Sequence, residues 1–156
     1  MLCRNNSMEK GEIKDGDTER TTRKVIVKTM TVENGVRDVF DFFAAGKNME
    51  LGGAIKSLSK NEDGWWTFDH NVAGKSKMKL NDVPQYGILD HVFIGGGLEW
   101  SVFVRVTPNQ TGSTTTWTFL RPDCLDDKQF EEQLQMFNLE IDNWKHALEG
   151  KSRLRL

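Results

Sequence analysis

From residue 54 to residue 121 the chain reads as one strand after another, and the connections are too short to hold a crossover helix. That restricts the fold more than any other feature. Parallel neighbours need a connection of a dozen or more residues, whereas antiparallel neighbours can be joined by a tight turn. The turn signals are explicit: Asn61-Glu62-Asp63-Gly64, Val72 to Lys75, Asp82 to Tyr86 around Pro84, Gly95-Gly96-Gly97, and Pro108 to Gly112. Between them lie strands at about 54–60, 65–71, 76–81, 87–94, 98–107 and 113–121. Six strands joined in this way predict an antiparallel meander.

Upstream, the β-branched run at 24–32 adds a seventh strand. After the turn Glu33-Asn34-Gly35, the residues Val36, Val39, Phe40 and Phe43 recur at helical spacing. Gly46 and Gly52-Gly53 then delimit a second short helix or loop. Downstream, Pro122-Asp123 ends the sheet and Asp126-Asp127 caps a long helix. Its apolar stripe is Phe130, Leu134, Phe137, Ile141, Trp144 and Leu148, with Glu, Gln, Asp and Lys on the other face. Such a helix buries that stripe by lying across the concave face of a curved sheet. The expected class is α+β: about seven antiparallel strands wrapped around a C-terminal helix, with two short helices after the first strand.

The length of 156 residues suits one domain, placed here at 23–150. A polar leader at 1–22 and a short tail at 151–156 bury too little to order and are expected to be disordered and frayed. Lys and Arg number 21 against 23 Asp and Glu, so the net charge is 21 − 23 = −2 and no global field attracts nucleic acid. No apolar run approaches the ~20 residues that span a bilayer, which excludes membrane insertion by a helix. The N-terminus carries no signal-peptide pattern. Two cysteines, Cys3 and Cys124, make neither a disulfide framework nor a Cys-rich zinc site, and the three histidines lack metal-ligand spacing. A reducing, cytoplasmic compartment and no metal or cofactor are expected.

Strand alternation selects the side chains that face the helix. Leu98, Trp100, Val102, Val104 and Val106 form one apolar face; Glu99, Ser101, Arg105 and Thr107 fall opposite, with Phe103 the exception. Trp117 and Phe119 point the same way in the last strand. A three-residue loop at Gly95–Gly97 pairs Ile94 with Leu98 and turns Ile88, Asp90, Val92 and Ile94 inward. A two-residue turn would reverse that strand and bring in His91. With loops at 73–75 and 82–86, the inward row reads His70, Met78, Asp90, Val102, Phe119. His70 and Asp90 then stand about 10 Å apart in backbone position, with Arg121 near the mouth opposite Trp100. A carboxylate among Trp, Val and Met loses hydration, and its raised pKa would suit acid–base work. His70 and Asp90 are therefore the candidate catalytic pair, with water-mediated or backbone bonding as the structural alternative. The candidate cavity walls are Trp66, Phe68, Met78, Leu80, Trp100, Val102, Val104, Trp117, Phe119, Phe137 and Trp144, with Arg121 at the mouth. Plain core is the default for such aromatics, although five Trp are many for one domain.

Other features read as ordinary. The triple glycine joins strands and is followed by no Lys-Ser/Thr, so it is a hairpin turn and no phosphate loop. Lys75, Lys77 and Lys79 form the solvated face of a strand, and Cys124 is a passive thiol. Asp69-His70 and Asp90-His91 repeat a dipeptide on two strands, but neighbours on a strand point to opposite faces and cannot share a metal.

The order of elements resembles the START-like helix-grip superfamily, also called SRPBCC, nearest its polyketide cyclase/dehydrase and lipid-transport branch. VIVKTMTVENGVRDVFDFFAA looks like its first strand and helix. GWWTFDH, GILDHVFIGGGLEWSVFVRVTP, STTTWTFLRP and the last helix look like its sheet and gripping helix. The resemblance covers roughly 24–150 and implies a cavity between helix and sheet. The superfamily has no invariant catalytic motif, so it implies no reaction. Three functions stay open: a carrier of a small hydrophobic molecule (lipid-, aromatic- or polyketide-like), a cofactor-free acid–base enzyme of polyketide cyclase/dehydratase type, and a partner-regulating module related to co-chaperones. The oligomeric state is not legible in the sequence.

Overall fold

The computed structural model describes residues 22–150. The expected leader and tail lie, but for Thr22, outside the described residues. The described chain runs β1 (Val25–Val32), α1 (Val36–Ala44), a 3₁₀ turn (Lys47–Gly52), β2 (Ile55–Lys60), β3 (Trp65–His70), β4 (Gly74–Val83), a 3₁₀ turn (Pro84–Tyr86), β5 (Ile88–Gly95), β6 (Leu98–Asn109), β7 (Gly112–Leu120) and α2 (Asp127–Glu149). All seven strands form one antiparallel sheet in the order β1-β7-β6-β5-β4-β3-β2. The meander is as the turn signals predict, and β1 closes it by pairing with the last strand.

Helix α2 grips the inner face. Its start is fixed by a capping box: Asp126 accepts from the Gln129 amide, and the Gln129 side chain accepts from the Asp126 amide. Gly150 in the left-handed region ends it. The apolar stripe goes into the core, with Phe130, Leu134, Ile141 and Trp144 buried. The Phe130 ring stacks on Trp100 at 5.8 Å and the Trp144 ring on Trp117 at 6.0 Å. Burying each such side chain contributes about 1.5–3 kcal/mol. Near its C-terminal end α2 is tied to the Lys47–Gly52 turn. Asn143 Nδ2 donates to the Gly52 carbonyl at 2.8 Å, and Trp144 Nε1 donates to the Met49 carbonyl at 3.3 Å. Gly52 has to be glycine there, because a Cβ would stand 2.8 Å from the Trp144 ring.

Strand β5 corrects the sequence reading. Gly95 pairs with Leu98, so only Gly96 and Gly97 form the turn, both with positive φ. This is the two-residue hairpin geometry that matches strand twist. Gly95 is a strand residue whose Cβ would lie 2.2 Å from Ser76 Oγ. On the other side Val83 pairs with Ile88 across the short 3₁₀ turn and Gly87, one residue fewer than expected. Both ends therefore set the opposite face inward. Leu89, His91 and Phe93 face α2, while Ile88, Asp90, Val92 and Ile94 face outward. Between β3 and β4 the register also differs, with His70 opposite Gly74 and Trp66 opposite Met78. That shift is even, so His70 keeps its expected face.

Cys124, read as a passive thiol, is disulfide-bonded. Cysteine usage therefore no longer argues for a reducing compartment. Among the described residues no helix is long and apolar enough to cross a membrane, and no group of His, Cys, Asp or Glu could hold a metal ion.

Candidate functional site

A cavity of about 40 Å³ lies between the sheet and α2. The sheet supplies Met78 and Leu80 from β4, Leu89 and His91 from β5, Val104 from β6 and Trp117 from β7. Helix α2 adds Phe137 and Trp144, α1 adds Phe43, and the Lys47–Gly52 turn adds Met49. The Phe43 and Phe137 rings meet Trp144 edge-on at 5.3 and 5.5 Å. The walls thus combine an aromatic corner with two methionines. A volume of this size takes a few waters and no larger guest unless a wall moves. Met49 and Met78, unbranched and adaptable, are the walls that move at least cost.

Six of the expected wall residues border this space: Met78, Leu80, Val104, Trp117, Phe137 and Trp144. The others are packed elsewhere. Trp100 lies on Phe130, and Phe119 packs against Phe137 at 4.9 Å. Val102 is core. Phe68 belongs to a separate small cluster with Ile55 and Met78, and Trp66 covers Gly46 and lies under the Lys60 ammonium. Arg121 is drawn to Asp127 at the start of α2, 2.5 Å away. Sequence reasoning missed Phe43, Met49, Leu89 and His91. The two on β5 were hidden by the parity of the glycine turn. The other two come from the segment between β1 and β2, which no strand alternation describes.

The proposed catalytic pair is not assembled. Asp90 points outward, where Oδ1 accepts from the Val104 amide at 2.8 Å and pairs with Arg105 at 2.5 Å. The His70 Nδ1 accepts from the Val72 and Ala73 amides at 3.2 and 3.1 Å, closing the turn before β4. Its ring stands against Phe93 and does not border the cavity. Burial alone holds its pKa below the usual histidine value.

His91 takes the inward place. Sheet pairing is recorded at Ile88 with Arg105 and at His91 with Val102, but not at Leu89 and Asp90 between them. Two side chains of β5 fill that gap. Asp90 serves the Val104 amide, and the His91 Nδ1 lies 3.2 Å from the Leu89 carbonyl. A carbonyl only accepts, so Nδ1 carries the proton and Nε2 is the bare nitrogen of the neutral ring. Burial pushes the His91 pKa down, against smaller opposing contributions from the Leu89 carbonyl and the Asp90 charge. The residue is half-buried and borders the cavity.

One more titratable group departs from its ordinary value. Burial raises the Glu140 carboxyl on α2 to about 7. Glu140 does not border the cavity. A wider groove of about 690 Å³ lies between Asp69, Lys75, Lys77, the end of β5 at Gly95 and the Gly96-Gly97 turn. It is open to solvent and encloses nothing.

No protein-family model matches the chain, and no curated protein does. Solved structures do. Ara h 8.0201 superposes with a TM-score of 0.63 over 82% of this chain and 99% of its own, at 15% identity. TTHA0849 from Thermus thermophilus gives 0.62 over 83% and 99%, at 9% identity. DynU16, a protein of the dynemicin biosynthetic locus, gives 0.62 over 80% of this chain and 47% of that one, at 15% identity. At such identities the likeness speaks for architecture alone. The curved seven-stranded sheet closed around α2 is the START-like helix-grip fold that the order of elements led us to expect.

Proposed function

We propose that this protein binds a small hydrophobic molecule in the cavity between the sheet and α2. The observation that carries the reading is the composition of the cavity wall: four aromatic rings, two methionines and three aliphatic side chains around one polar ring. Concave, mostly apolar sites with few polar groups are where small ligands bind. The helix-grip fold supports the same reading by analogy. A ligand larger than the present space enters by displacing Met49 and Met78, so compact aromatic molecules fit at least cost.

A cofactor-free acid–base enzyme is the second reading, favoured by the neutral His91 facing the cavity. Proton transfer to and from a substrate uses at least one base and one acid. His91 is the one titratable side chain on the wall among the described residues, so carriage is the reading the geometry favours.

The test is a thermal-shift and native mass-spectrometry screen of compact aromatics, fatty acids and polyketide-like phenols, repeated on Leu80→Phe. Leu80 borders the cavity, and the added ring fills it. Stabilisation by compact aromatics that Leu80→Phe abolishes, with folding intact, is the expected result. Stabilisation by none of the panel, or stabilisation unchanged in Leu80→Phe, refutes the reading.

A further inference from the structure

We propose that the cavity selects neutral aromatic molecules bearing a hydroxyl, held by a hydrogen bond from that hydroxyl to His91 Nε2, and that it rejects carboxylates. The inference rests on the ligand-binding reading above and narrows it to a chemical class.

The Leu89 carbonyl fixes the proton of His91 on Nδ1, which leaves a lone pair on Nε2. On the neighbouring strands His91 stands between Leu80 and Val102, both apolar. Asp90, the nearest charge in sequence, is turned to the other face and engaged with Arg105 and the Val104 amide. From α2 the cavity receives Phe137 and Trp144, and the Trp144 N–H is spent on the Met49 carbonyl. No charged side chain borders the space from β4, β5, β6, β7, α1, α2 or the Lys47–Gly52 turn. A ligand buried here must therefore be neutral, because an unpaired charge in such surroundings is costly. Its polar group must be a donor, because Nε2 offers only a lone pair. A carboxylate brings lone pairs against that lone pair. It binds only with uptake of a proton, by the ring, which burial opposes, or by the carboxylate itself, which pH 8 opposes. A phenolic hydroxyl donates to Nε2 while its ring lies in the aromatic corner of Phe43, Trp117 and Trp144.

Phenol, toluene and benzoate share a ring and differ in the group at issue. Their affinities for the full chain are measured by ligand-observed NMR at pH 8 and pH 5, for wild type and His91→Leu. At pH 8 phenol and toluene bind, and benzoate binds at least about tenfold more weakly than phenol. In His91→Leu the preference for phenol over toluene falls by about tenfold, while toluene is retained. If that variant does not fold, the wild-type ring decides. Its ¹⁵N spectrum shows Nδ1 protonated, and phenol shifts Nε2 whereas toluene does not. Lowering the pH until the ring protonates weakens phenol relative to toluene, and benzoate strengthens once either partner carries the proton. Benzoate binding as tightly as phenol at pH 8, or an Nε2 signal indifferent to phenol, overturns this inference while toluene binding leaves the apolar site standing. Failure of all three to bind overturns both.

Discussion

Replacing Glu140 by Gln should stabilise the protein, and by more at pH 8 than at pH 5. Glu140 lies on α2 one turn before Trp144, and three residues before the Asn143 that holds the Gly52 carbonyl. Burial lifts its carboxyl from 4.5 to about 7, with no ion pair or hydrogen bond contributing. A group whose folded pKa is raised binds more protons in the native chain than in the unfolded one, so stability falls as pH rises through that window. Between 4.5 and about 7, at about 1.4 kcal/mol per pH unit, the ceiling is about 3 kcal/mol. The residue keeps some accessible surface, and water reduces the figure to about 1–2 kcal/mol. Glutamine has the shape of the protonated acid and never ionises, so it removes the penalty. Thermal unfolding of wild type and Glu140→Gln at pH 5, 6, 7 and 8 should show melting temperatures close together at pH 5. At pH 8 they should lie about 3–10 °C apart, with the variant higher. A difference that does not change with pH, or a wild type that gains stability over the variant as pH rises, would refute the reasoning.

The other expectations are more local. In the Glu140→Gln background acid destabilisation should be steeper, because His70 and His91 are held neutral below their ordinary value by burial. The unfolded chain takes up protons below about pH 6.5 that the native chain does not, so stability falls with falling pH by at most about 1.4 kcal/mol per pH unit for each ring. Urea denaturation at stepped pH reads this directly, and a flat profile between pH 6.5 and 4.5 would contradict it. Asp90→Ala leaves the Val104 amide and Arg105 without their acceptor and should cost about 1–3 kcal/mol in urea unfolding. Ligand affinity should be unchanged, because Asp90 faces away; a lost affinity with intact fold would place it in the site after all. Gly52→Ala drives a methyl into the Trp144 ring and should cost about 1–3 kcal/mol, read as a lower melting temperature with altered tryptophan fluorescence.

The sequence carried the fold further than the site, for reasons of parity. In β6 the alternation of Trp100, Val102, Val104 and Val106 with polar neighbours states its own inner face, and all four are buried. The stripe of α2 and its Asp126 cap were equally legible. Strand β5 was not, because Ile88, Val92 and Ile94 on one side rival Leu89, His91 and Phe93 on the other in apolar character. Its face then depends on counting turn residues, and three glycines allow either count. The deciding facts are tertiary: Gly95 pairs with Leu98, and it lies so close to Ser76 that a Cβ would meet Oγ. That one residue exchanged Asp90 for His91 at the site. His70 kept its face but lost its proposed role to the amides of Val72 and Ala73, a turn-closing contact that alternation cannot reveal.

The central claim is that the space beside Met49, Met78 and His91 is a ligand site. With ¹³C-methyl-methionine protein and saturating phenol, intermolecular NOEs test it most directly. The account predicts contacts from the phenol ring to the Met49 and Met78 methyls and none to Met136, which is exposed on α2. NOEs confined to Met136, or a bound phenol that contacts neither cavity methionine, would contradict it.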